Sequence, residues 1–167
     1  MHMAADGFSL PVWRVQFRMQ NLGWIWPVLC MVFGVRLYGW KWGLAAGALL
    51  MAVLLLHEVG HMLAAWALGV PVREFGLCLV GAYNKRAYAT RRRDEIYISL
   101  AGPLMNILLA FGLVFVPHIG FMVALCSLEL GLVNLIPLPS SDGLRIVRNL
   151  FGSTRPGGAV VAESPAQ

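Results

Sequence analysis

Apolar residues run almost without interruption over residues 22–40, 43–69, 96–116 and 119–136, and polar residues gather between these runs. At about 1.5 Å per helical residue, each run comes near or exceeds the roughly 30 Å hydrocarbon thickness of a bilayer. The pattern predicts four membrane-spanning helices. Trp24, Trp26, Trp40 and Trp42 lie near the ends of the first run, where interfacial anchors belong. Pro117, His118, Ile119 and Gly120 predict a tight turn between the last two runs. Two other segments have a different period. Residues 13–20 alternate apolar and polar without a break, the signature of a half-buried strand. In residues 72–90, Val72, Phe75, Leu77, Leu79 and Val80 lead to Gly81, with Tyr83, Asn84 and Tyr88 beyond it. This predicts a hairpin, which the N-terminal strand can join.

Composition agrees with the pattern. The chain is 59% hydrophobic and 13% charged, with mean hydropathy +0.70; a soluble domain carries about 25% charge. A net charge of +5 is compatible with a nucleic-acid partner, but its distribution gives another reason for it. Numbered by the four runs, one side holds Arg14, Arg18, Arg73, Lys85, Arg86, Arg91, Arg92, Arg93, Arg145, Arg148 and Arg155, and the other only Arg36 and Lys41. The excess of Lys and Arg marks the cytoplasmic side, so both termini and the hairpin are expected there, against anionic lipid. No nucleic-acid partner is needed. The resulting fold class is an α-helical polytopic membrane protein with about four transmembrane helices and a small cytoplasmic-side β-hairpin or sheet. No cleavable signal peptide is visible at the start. Residues 1–151 read as a single membrane-embedded domain, and 152–167, rich in Gly, Pro, Ala and Ser, as a disordered tail. Cys30, Cys78 and Cys126 are isolated and read as small packed side chains.

His57-Glu58-Val59-Gly60-His61 lies inside the second run. On a helix the two imidazoles share a face and can reach one metal ion, while the Glu can serve as general base. Leu54, Leu55, Leu56, Met62, Leu63, Ala64 and Ala65 surround the motif, so no polar outer face exists and the chemistry is placed within a bilayer. The plainer alternative is a buried His pair with a stray Glu, which costs about 3 kcal/mol per unpartnered group in a membrane. A catalytic zinc needs a third protein ligand. The candidates are Glu129, Asp142, His118, Asp94 and Glu95. Asp142 follows Pro137 and Pro139 and precedes Gly143, so an interrupted fourth span could carry it back toward the His pair. Glu129 is a carboxylic acid in an apolar span, and a hydrogen bond to a neighbouring span is its expected role.

Three elements in order resemble the site-2 protease family of intramembrane zinc metalloproteases. They are His57-Glu58-Val59-Gly60-His61, Ala101-Gly102-Pro103-Leu104-Met105-Asn106, and Asn134-Leu135-Ile136-Pro137 followed by Asp142-Gly143. The resemblance implies a Zn²⁺ ion held by His57, His61 and Asp142, with Glu58 activating water. It implies that Asn134 helps hold the substrate backbone. It also implies substrates that themselves span the membrane, as in regulated intramembrane proteolysis, and a bacterial or archaeal cell membrane as the setting. Ser141 stands where the family has Leu, and Leu144 where a second Gly is frequent. Near Glu129 the family commonly has Asn. The chain reads as a compact, core-only version without a PDZ domain. Two rival readings are a zinc-binding membrane scaffold that holds client proteins without cutting them, and a metal transporter. The scaffold has no use for Glu58. The transporter would spread its ligands along a path and often shows internal repeats, which this sequence lacks.

Overall fold

The structure is a computed structural model and describes residues 9–12, 15–20, 22–79 and 81–152. Trp13 and Arg14, and the tail beyond Gly152, lie outside these residues. In chain order the elements are β1 Ser9–Val12, β2 Val15–Met19, α1 Ile25–Ala67, β3 Val72–Cys78, β4 Gly81–Arg86, α2 Arg92–Leu113, α3 Gly120–Leu135 and α4 Asp142–Phe151.

The first two apolar runs form one element, α1, broken at Gly39, whose φ of 65° and ψ of 179° are non-helical. A positive φ is open to glycine at little cost, so the chain can reverse there. The two arms, 25–38 and 40–67, then lie back to back. A methyl group on Gly34 would come 2.2 Å from the Gly43 carbonyl oxygen, one on Gly43 2.4 Å from Val35 Cα, and one on Gly47 2.7 Å from Met31 Cα. Backbone packs directly on backbone along this seam, as small residues permit between membrane helices. Both ends of the hairpin are tied down. Trp26 Nε1 donates to the carbonyls of Cys78 and Leu79 at 3.0 and 3.2 Å. At the other end Trp42 stacks on His118 with ring centroids 4.8 Å apart.

Four strands form one sheet in the order β1-β2-β3-β4. β2 runs parallel to β3, with Phe17 opposite Phe75, and β3 pairs antiparallel with β4, with Phe75 opposite Asn84. The predicted hairpin and its N-terminal companion are thus present, and β1 adds a strand that the alternation did not mark. The sheet packs on the membrane helices through Val15, Val70, Val72, Met62, Ala65 and Ile98. β4 forms the edge nearest the helices' polar interior.

Polar groups are buried among the helices while large apolar side chains face outward. Ser99, Asn106 and Ser127 are fully buried, while Phe111, Phe115 and Trp40 are 70, 84 and 77% exposed. Water would penalise such a surface and lipid would not. α1 and α2 are each long and apolar enough to cross a membrane, and α3 is a shorter apolar helix. Glu129 departs from its expected place. α3 packs on α2 through Ala124, Ser127 and Gly131 and on α1 through Val123, which turns Glu129 outward, exposed and with no hydrogen-bond or ion-pair partner among the described residues. It therefore takes no part in the expected bond to a neighbouring span. Arg86, counted with the surface basic residues, is also buried, paired with Glu95 through Nη2–Oε1 at 2.5 Å and Nη1–Oε2 at 2.9 Å.

Candidate metal centre

His57 and His61 project from the 40–67 arm of α1, one turn apart and both buried. α3 ends at Leu135, and a loop over 136–141 turns the chain so that α4 begins at Asp142. Ser141 builds that turn. Its hydroxyl accepts from the Leu144 and Leu138 amides at 3.1 and 3.0 Å and lies 2.6 Å from the Ile136 carbonyl. The Ser in place of Leu is thus the cap of α4, a role Leu lacks the oxygen to fill.

Asp142 Oδ2 lies 3.2 Å from His57 Nε2 and 3.2 Å from His61 Nε2, and the two Nε2 atoms are 3.2 Å apart. Hydrogen bonds alone do not explain this triangle. His61 Nδ1 lies 2.7 Å from the Ile98 carbonyl, which can only accept, so the ring proton belongs on Nδ1 and Nε2 presents a lone pair. His57 Nδ1 faces the amide of Asn106 at 3.3 Å, and Asn106 Oδ1 is buried with no other partner among the described residues. Turned over, that amide places its oxygen on the Nδ1 proton and gives His57 the same tautomer. Two nitrogen lone pairs and a carboxylate then converge on one point, which a cation satisfies. Bonds of 2.0–2.2 Å in a tetrahedron give ligand separations of about 3.3–3.6 Å, close to those found, and two N donors with one carboxylate O suit zinc.

Gly102 makes this geometry possible. A methyl group there would sit 2.3 Å from His61 Nε2 and 2.9 Å from His57 Nε2, so α2 can lie against the imidazoles only without a side chain. Glu58 is set off from the triad and lines the same cavity, of about 420 Å³, together with Asn134, Tyr83 and Asn84. Asn84 Nδ2 donates to Glu58 Oε2, so edge strand β4 holds this carboxylate directly. Asn134 donates to its own helix at Leu130 O, 3.0 Å away, leaving its second amide proton available. Beside the cavity, burial pushes the Glu74 carboxyl up, but hydrogen bonds from Tyr83 and Lys85, with the charges of Lys85 and Arg18, outweigh it and hold the group below the ordinary carboxylate range. Burial, then Glu74, holds the Tyr83 phenol well above its ordinary value, so it stays a donor.

Of the candidate third ligands, only Asp142 joins the His pair among the described residues. His118 stacks on Trp42, Glu95 pairs with Arg86, and Glu129 faces outward. Asn106, Asn84 and the Ile98 carbonyl had no assigned role in the sequence. The signal for Asn106 was present: an amide in an apolar span is costly unless it has a partner.

The family model of peptidase family M50 matches residues 45–121, which include both His ligand candidates, Glu58 and the Gly102–Asn106 element. The segment that carries the His pair is thus similar to peptidase family M50. Among its relatives, a protein of Synechocystis, provisionally named zinc metalloprotease sll0528, is 29% identical over 122 residues, 66% of this chain and 32% of that protein. Zinc metalloprotease MJ0392 of Methanocaldococcus jannaschii is 30% identical over 113 residues, 62% of this chain and 33% of that protein. The chain therefore spans about a third of the length of these curated relatives. The fold resembles the site-2 protease from Methanocaldococcus jannaschii, with a TM-score of 0.68 at 22% identity, over 86% of this chain and 71% of that one. The geometry gives a reason for each element of the ordered motif set. The first motif supplies the imidazoles, Gly102 and Asn106 receive them, and the broken segment before Asp142 returns a carboxylate.

Proposed function

We propose that this chain is an intramembrane zinc metalloprotease that hydrolyses peptide bonds of membrane-spanning proteins. The observation that carries the reading is the 3.2 Å triangle of His57, His61 and Asp142 with Glu58 beside it in one cavity. Zinc held there would supply an open coordination position, an acidified water and a polarised scissile carbonyl. Glu58 takes a proton from the water and delivers it to the leaving amine. Asn84 fixes Glu58 for that transfer. Asn134 is placed to donate to the substrate carbonyl as charge develops on it. A helical substrate already pairs its own amides, so it must unwind before it can be cut. The open edge of β4 suits the unwound strand by β-addition, beside Tyr83 and Asn84. A scaffold that only held metal and clients would have no use for a carboxylate positioned beside the triad.

Residues 1–151 act as one domain that crosses the bilayer four times, with both termini cytoplasmic and the protein in a bacterial or archaeal cell membrane. The 40–67 arm is about 42 Å long, whereas the 25–38 arm is about 21 Å and α3 about 24 Å. The last crossing is thus completed by the 136–141 loop, where non-helical backbone lines the cavity. The test is cleavage of single-span proteins in reconstituted vesicles. Glu58→Gln should lower turnover at least about 100-fold while zinc content stays at wild-type level. Retained turnover in the zinc-loaded variant would remove the general-base role.

A further inference from the structure

The metal cavity does not use Glu129, and no contact among the described residues explains it. This carboxylate lies on the outward face of α3, whose neighbouring exposed residues are Leu125, Leu132 and Val133, 44, 50 and 46% exposed. It is about 13 Å along the helix from Gly120, too deep for a short side chain to reach the headgroups at that end. It does not line the metal cavity and so gains no water from it. An ionisable group facing lipid at this depth carries a substantial insertion cost unless something covers it. The same helix gives a direction. Val133 and Asn134, one turn further on, line the metal cavity, so a helix lying along this face arrives at the cavity mouth.

We propose that the exposed face of α3 is the docking track for the substrate's membrane-spanning segment. Glu129 selects segments that carry a hydrogen-bond donor, Lys, Arg, Asn or Gln, about 7–8 Å along the helix, or about five residues, from the bond to be cut. The inference rests on the proteolytic reading for its substrate and deepens it by naming a recognition feature. A second copy of this chain is a poorer occupant. An isologous pair through this face would set Glu129 against its own counterpart, acid to acid, with no donor cation between them. It would also cover Val133 beside the cavity mouth. A basic or amide side chain on a substrate helix both complements the charge and leads into the cavity.

The experiment uses synthetic Leu/Ala single-span peptides with a Gly-Pro break and either Lys, Gln or Leu about five residues from it. Each is reconstituted in phosphatidylcholine–phosphatidylglycerol vesicles with the full chain carrying Glu58→Gln, and association is read by energy transfer. The Lys and Gln peptides are expected to bind about 3- to 15-fold tighter than the Leu peptide, the range of interhelical hydrogen bonds in bilayers. Adding Glu129→Leu should erase the difference, and Glu129→Lys should shift preference to an Asp-bearing peptide; zinc content reports that each variant is folded. Equal binding of all peptides, or a preference that survives Glu129→Leu, overturns the proposal. So does a loss of self-association in Glu129→Leu without a change in peptide binding, which would assign the face to a second copy. Cutting of the same peptides by the unmodified chain is scored separately. Donor selectivity without cutting removes the protease reading and keeps the docking track, whereas cutting without selectivity does the reverse.

Discussion

Asn106 and Asp142 contribute to the same centre in different ways. Asp142 offers an oxygen to the metal position. Asn106 touches no ligand position and acts through the His57 Nδ1 proton, which decides whether Nε2 faces the centre as a lone pair or as a donor. Zinc affinity across a small set of variants separates these roles. Asp142→Ala should lose zinc outright, since two imidazoles hold a catalytic ion poorly. Asn106→Leu should weaken it about 10–100-fold, as loss of a partner that orients a ligand does. Glu129→Gln should leave it unchanged. Competition with a chelator after purification in one detergent ranks all three, and zinc retained in Asp142→Ala but lost in Glu129→Gln would reassign the third ligand. The two His and Glu58 were legible in the sequence because helical spacing alone fixes their relation. Asn84 and the Ile98 carbonyl were not, because a strand edge and a second helix bring them in and no local period encodes that.

Among the elements, β4 and α2 are joined by a buried ion pair. Arg86 and Glu95 meet side-on, 6 and 1% exposed, and Glu95 also accepts from the Ala89 amide at 3.1 Å. Two residues before Arg86, Asn84 holds Glu58; three residues after Glu95, Ile98 holds His61. The pair therefore fixes the relation between Glu58 and one metal ligand candidate. Arg86→Ala leaves a buried carboxylate without its partner and should cost about 3–5 kcal/mol, and Arg86→Met with Glu95→Leu should recover most of it. Thermal unfolding in detergent measures both, and equal losses in the single and double variants would contradict the account. The rotation of α3 was encoded though not read from the sequence: Ala124, Ser127 and Gly131 mark its packing face, and Glu129 stands about 200° from Ser127. The break at Gly39 was less legible, since Tyr38 and Trp40 beside it look like ordinary interfacial aromatics.

At the scale of the whole molecule, the eleven-to-two division of basic residues is the topological signal, and it survives the burial of Arg86. Reporters fused at each terminus should both read cytoplasmic, and opposite readings would mean an odd number of crossings. The four apolar runs were plain in the sequence because lipid demands them. That the 25–38 arm and α3, at about 21 and 24 Å, are shorter than the roughly 30 Å hydrocarbon core was not. The centre also has a consequence in time. Its two halves stand 85 residues apart, with both imidazoles on α1 and the carboxylate on the last helix of the described chain. A nascent chain emerges in order, so the imidazoles are made and inserted long before their third partner exists. The triangle therefore cannot close until Asp142 has been synthesised and α4 has folded back. Until then the two imidazoles lack their carboxylate, and no inhibitory segment is needed to keep the centre incomplete.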